Sequence, residues 1–143
     1  MSSTPEHNKS IFRRFHDVVN TGDLESISRT IAELTVPDMR LHTPLTTPET
    51  GRDAVEQTWV NLLRVFPDIQ VRLEDVIAEG DKVAGRSVVT GTHRAEFMGI
   101  APTGKRVEYN EMFIFRFTEG RVAEMWGVVD IFSLIRQLGG FPV

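Results

Sequence analysis

Residues 107–117 read VEYNEMFIFRF, and the way this run fills two faces decides what kind of fold can hold it. With a period of two, one face carries Val107, Tyr109, Glu111, Phe113, Phe115 and Phe117. The other carries Glu108, Asn110, Met112, Ile114 and Arg116. Both faces are apolar in mid-strand, so both need cover. Helices can cover one. The other requires a partner, and an open sheet in a small domain finds it in a second copy, so a homodimer through the outer sheet face is expected.

Working outward, the same two-residue period predicts strands at 69–78, 82–93, 107–118 and 121–129. Glu79-Gly80-Asp81 and Thr118-Glu119-Gly120 read as tight hairpin turns between them. Asp130 is placed to cap a last short helix, Ile131 to Leu138, which Gly139-Gly140 stops. The first half is helical. Ile11, Phe12, Phe15, Val18 and Val19 recur at helical spacing until Asn20-Thr21-Gly22 ends the run. Asp23 can cap a second helix with the stripe Leu24, Ile27, Ile31 and Leu34, closed before Pro37. A strand at 39–47 follows, and a third helix from about Arg52 buries Val55, Trp59, Leu62, Leu63 and Phe66 until Pro67. The expected class is α+β: N-terminal helices against a mostly antiparallel sheet, with a short C-terminal helix.

The 143 residues make one domain, 1–143, long enough to bury roughly two-thirds of its surface on folding. A net charge of −4 without a basic block speaks against nucleic acid as partner. The chain has no cysteine, which removes disulfides and thiolate chemistry together. The polar start MSSTPEHNKS is not a signal peptide, and no run is apolar enough to cross a membrane, so a cytoplasmic protein is expected. Histidines at 7, 16, 42 and 93 lack the paired spacing of a metal site. Neither a phosphate-binding glycine loop nor a nucleophile elbow occurs, so no cofactor is expected.

Four phrases resemble one family: NTGDL (20–24), FPDIQVRLEDVIAEGDKV (66–83), GTHRAEFMGIAPTGKRV (91–107), and FRFTEGRVAEMWGVVD (115–130) followed by LIRQLG (134–139). Together they resemble the SnoaL-like proteins, which include polyketide ester cyclases and share the fold of nuclear transport factor 2 and ketosteroid isomerase. The resemblance implies a cone, a strongly curved sheet wrapped round a long helix, with a pocket at its wide end. It also implies carbon-acid chemistry, in which an aspartate on the last strand takes a proton next to a carbonyl, helped by a histidine. Carried over residue by residue, those two positions are Gly127 and Phe113 here. The acid–base groups of ketosteroid isomerase fall near Phe15, Thr43 and Phe113. Neither set is present, so the chemistry must come from other residues.

Phe15, Thr43, Phe113, Phe115, Met125 and Gly127 would leave an apolar pocket suited to an aromatic or polycyclic ligand. Tyr109, Trp59 and Trp126 join them as candidate contacts, although the tryptophans and phenylalanines could equally be core. His93 stands where a strand meets the Pro-Thr-Gly loop, either as a proton carrier at the rim or as an anchor for loop backbone. Glu111 is a general base if its face lines the pocket; a register shift of one would put Asn110 there instead. Asp130 is either the cap of the last helix or a rim group that orients His93 or binds a substrate hydroxyl. His42 alternates with Thr43 and points away, while His16 is expected on the helix surface. Three functions fit: a cofactor-independent cyclase or isomerase, an anthracycline-type hydroxylase of the same family, or a non-catalytic ligand-binding or protein-interaction module.

Overall fold

A computed structural model describes residues 4–141. Among the described residues the order is α1 (Pro5–Val19), α2 (Leu24–Leu34), β1 (Thr35–His42), α3 (Arg52–Val65), β2 (Gln70–Glu79), β3 (Lys82–Thr92), β4 (Arg106–Thr118), β5 (Arg121–Val129) and α4 (Ile131–Gln137). Thr4 caps α1 by accepting the His7 amide at 3.2 Å, and Pro5 occupies the first turn, where its missing N–H costs nothing. Asp23 stands at the start of α2, but its carboxylate accepts the Ser26 hydroxyl at 2.5 Å rather than a backbone amide. No described helix is long and apolar enough to cross a membrane.

The five strands form one curved sheet in the order β1-β5-β4-β3-β2. β2 to β5 make an antiparallel meander, and β1 joins β5 in parallel. Register irregularities between Leu73 and Asp75 and between Arg116 and Phe117 are the local bends that let so long a sheet curl round its helices. The Glu119-Gly120 turn has positive φ at both residues (50° and 80°), as a two-residue hairpin between right-twisted strands demands. The α+β class, with a curved and mostly antiparallel sheet, is thus as the sequence predicts.

One element lies elsewhere than expected. The first strand spans Thr35–His42 rather than 39–47. The chain passes from α2 directly into the sheet, with the Thr35 hydroxyl donating to Ile31 O at 2.6 Å. Pro37 is tolerated because β1 is an edge strand.

Phe12, Phe15 and Val19 of α1 pack onto the inner face of the sheet, where Phe115 meets Phe12 and Phe15 at ring-centroid distances of 4.6 and 5.5 Å. His16 is a correction: it is buried (5% exposed) rather than on the helix surface. The position after Phe15 and one turn past Phe12 still belongs to a wide core-facing stripe.

The outer face holds Ile77, Met112, Ile114, Trp126 and Val128, all exposed and apolar. Beside them Glu124 is held by Arg40, His42 and Arg116, and His42 stacks on Trp126 at 5.5 Å. These contacts, led by the His42 hydrogen bond, hold the Glu124 carboxyl below its ordinary range.

Candidate active site

Between the helices and the inner sheet face lies a narrow, partly open cavity with about 60 Å³ of free space. α1 contributes Phe15 and His16, α3 contributes Thr58, Trp59 and Leu62, and Thr43 and Leu45 follow β1. From the meander come Tyr109, Glu111, Phe113 and Phe115 on β4, and Met125 and Val129 on β5. Seven of the expected contacts are therefore brought together: Phe15, Thr43, Trp59, Tyr109, Phe113, Phe115 and Met125. A more open hollow adjoins, lined by Thr46, Thr47, Asn61, Arg64, Glu96, Phe97 and Met98. The two share Leu45, Thr58 and Leu62, so the 94–105 loop borders the approach to the cavity rather than the cavity itself.

The strand register answers the question left open at Glu111. Glu111 pairs with Ser87 on β3 and with Val129 on β5, and its side chain lines the cavity. Asn110 is exposed on the opposite face. Glu111 makes no hydrogen bond or ion pair among the described residues, and it is half-buried on a mostly apolar wall. Burial pushes its carboxyl from the ordinary 4.5 up to about 7. Burial, aided by the neighbouring Glu111 charge, also raises Tyr109, which remains a neutral phenol and a donor.

His16 is the cavity-lining group that sequence reasoning missed. Its Nδ1 donates to Phe12 O at 2.8 Å, and its ring stacks on Phe115. Burial lowers its pKa and so favours the neutral ring. The usable signal was its place between Phe15 and Val19 on the buried stripe.

Three of the expected residues lie elsewhere. His93 is fully buried at the end of β3 and lines neither hollow. Its Nδ1 accepts from the Thr103 amide (3.1 Å) and faces the Thr103 hydroxyl (3.0 Å), while its backbone bonds Lys105 O and Gly104 N. It is the latch of the loop. Replacing it with Ala is expected to cost about 2–4 kcal/mol of stability, from lost packing on Phe66 and the lost hydrogen bonds to Thr103. Urea denaturation and faster amide exchange at Thr103 would register that loss. Asp130 caps α4, its Oδ1 accepting from Ser133 N at 3.0 Å, and it is exposed. Trp126 faces outward, because alternation along β5 turns Met125 in and its neighbour out.

No group of three or more His, Asp or Glu side chains among the described residues could hold a metal ion. The cavity instead offers a carboxyl near neutrality, a phenol and an imidazole on apolar walls. That set can bind an aromatic ring and move a proton.

Comparison with known proteins agrees with this architecture. The family model for the SnoaL-like polyketide cyclases matches residues 9–138. This chain belongs to the SnoaL-like polyketide cyclase family. A curated relative is aklanonic acid methyl ester cyclase AcmA of Streptomyces galilaeus, 31% identical over 130 residues that cover 89% of this chain and 87% of AcmA. Among solved structures, the hydroxylase candidate AclR of Streptomyces galilaeus is 31% identical with a TM-score of 0.83, covering 98% of this chain and 89% of AclR. The polyketide cyclase candidate IdmH of Streptomyces antibioticus is 31% identical with a TM-score of 0.78, covering 92% of this chain and 98% of IdmH.

Within this SnoaL-like fold, the two positions that the resemblance assigns to an aspartate and a histidine sit side by side. Phe113 and Gly127 are cross-strand partners on β4 and β5. A Cβ at residue 127 would lie inside the Phe113 ring. Glycine and phenylalanine here are one packing unit: the ring fills the space that a side chain on β5 would need.

Proposed function

We propose that this SnoaL-like protein is a cofactor-independent enzyme acting on a polyketide or similar aromatic, polycyclic substrate by proton transfer at a carbon acid. The observation that carries this reading is Glu111, an unpaired carboxyl on an apolar cavity wall with its pKa raised to about 7. A base poised near neutrality loses little driving force and is half in its working form. Its carboxylate takes the proton from a carbon next to a carbonyl. The electron pair moves into the carbonyl as an enolate, to which the Tyr109 hydroxyl can donate. The enolate carbon then attacks a second carbonyl, in a cyclase, or takes the proton back at another position, in an isomerase.

Thermal shift with a panel of hydroxyanthraquinones and aromatic β-ketoesters tests the cavity, and deuterium uptake at the activated carbon in D₂O tests the chemistry. Parent and Glu111→Gln should both be stabilised by ligands, with uptake confined to the parent. Equal uptake by the variant removes Glu111 from the mechanism. A hydroxylase reading rests on the likeness to AclR; it would show as an oxygenated product under air without deuterium uptake.

The outer sheet face is assigned to a second copy of the chain. Its apolar centre, Met112, Ile114 and Val128, is exposed and has no cover within the chain, so the patch can meet its own image across a two-fold axis. Ile114→Glu is expected to turn a dimer into a folded monomer in light scattering. A parent already monomeric at high concentration contradicts the assignment.

A further inference from the structure

The structure holds two buried histidines whose surroundings differ in one decisive respect. At His93, Nδ1 accepts a backbone N–H, so the ring proton sits on Nε2, which is sealed in the core without a partner. His16 has the reverse arrangement. Its Nδ1 faces Phe12 O, which can only accept, so Nδ1 carries the proton and Nε2 presents a lone pair. That Nε2 has no partner among the described residues, yet it is not one of the sealed unpartnered atoms. The ring lines the apolar cavity, so the cavity is where the lone pair is accessible.

The ring is also fixed. Phe12 lies against it at 4.5 Å, Phe15 at 5.6 Å and Phe115 at 6.2 Å between centroids. Turning the ring over would bring a C–H to Phe12 O and bury the lone pair of the other nitrogen. Burial disfavours imidazolium, against smaller pulls from the Phe12 carbonyl and from Asp17. A neutral, oriented acceptor therefore stands in the cavity that Tyr109 and Glu111 of β4 also line.

We infer that His16 Nε2 is a positioning group that accepts a hydrogen bond from a hydroxyl on the ligand's aromatic ring, so that the cavity selects phenolic or enolic aromatics over their ethers. This inference rests on the cavity being the ligand site, and it adds the ligand feature recognised on the α1 side. A ligand hydroxyl on His16 fixes the ring's rotation in the cavity, which sets the carbon that Glu111 can reach. An ether or bare ring leaves the Nε2 lone pair stripped of water and unmatched.

The test uses 2-naphthol, 2-methoxynaphthalene and naphthalene as probes, with binding read by calorimetry. Parent protein should bind 2-naphthol about five- to tenfold more tightly than the ether, the worth of one hydrogen bond. His16→Phe should bind naphthalene undiminished and lose that preference. His16→Gln, which keeps an acceptor at the end of its chain, should restore part of it. Imidazole ¹⁵N spectra supply a reading without any ligand: Nε2 of His16 should be the unprotonated, pyridine-type nitrogen, and its signal should shift on adding 2-naphthol. A protonated Nε2 in the free protein overturns the inference, and so does a hydroxyl preference that survives in His16→Phe. Binding of none of the three probes overturns the cavity as ligand site, and this inference with it, whereas equal binding of all three leaves the cavity intact and removes only the role of His16.

Discussion

Glu111→Gln is expected to make the protein more stable than its parent at pH 8, by about 2–3 kcal/mol, and to leave the two equal near pH 4. The folded carboxyl titrates near 7 while an unfolded glutamate titrates near its ordinary 4.5. Between those values the folded chain holds a proton that the unfolded chain releases. The contribution of the protonated form is complete below 4.5 and disappears as pH rises through 7. Glutamine is nearly isosteric and has no charge to bury, so it escapes the loss. Urea denaturation of both proteins across this range measures the difference directly. The same variant should lose about 10²- to 10⁴-fold in proton transfer, the usual worth of a positioned base. Stability gained and activity lost at one residue is the signature of a group held in a costly state for its chemistry. A merely structural glutamate would lose both.

The second large effect concerns the pair at the centre of the sheet. Gly127→Asp alone is expected to destabilise the fold by about 3 kcal/mol or more, because its Cβ enters the Phe113 ring and a carboxylate is added to an apolar wall. Phe113→His shortens the ring that blocks the position. The double variant should recover at least about 1 kcal/mol beyond the sum of the single changes, the coupling expected of side chains in direct contact. A double-mutant cycle by chemical denaturation measures this. Strict additivity would mean that the two positions do not share one space.

Much of this fold can be read from the chain alone, and the reasons are local. Strands β2 to β5 declare themselves because the alternation in residues 107–117 is long, and because two turns, Glu79-Gly80-Asp81 and Glu119-Gly120, fix their register. Alternation and helical spacing put Trp59, Tyr109, Phe115 and Met125 on buried faces, while Phe15, Thr43 and Phe113 are cavity positions that the family resemblance implies. The first strand begins earlier than the sequence predicts because Pro37 reads as a breaker, whereas its position on a sheet edge makes it harmless, a fact that lies in tertiary structure. His93 anchors the 94–105 loop, one of its two expected readings, whereas His16 is buried where a surface position is expected. A histidine at a strand end beside a loop looks reactive, and one in a helix looks solvated; which of them meets the cavity depends on how α1 rolls against β4. Trp126 differs from expectation for the simplest reason, since only one of two adjacent residues on β5 can face inward.

The proposed chemistry turns on the protonation of one carboxyl, and a pH titration of the Glu111 side-chain carbon by ¹³C NMR, identified by its loss in Glu111→Gln, tests it most directly. A midpoint near 7 is the result expected of a carboxyl desolvated on the cavity wall and ready to exchange a proton at neutral pH. A midpoint near 4.5 would mean that water or a counter-charge reaches Glu111, and the carbon-acid chemistry assigned to this cavity would have no base.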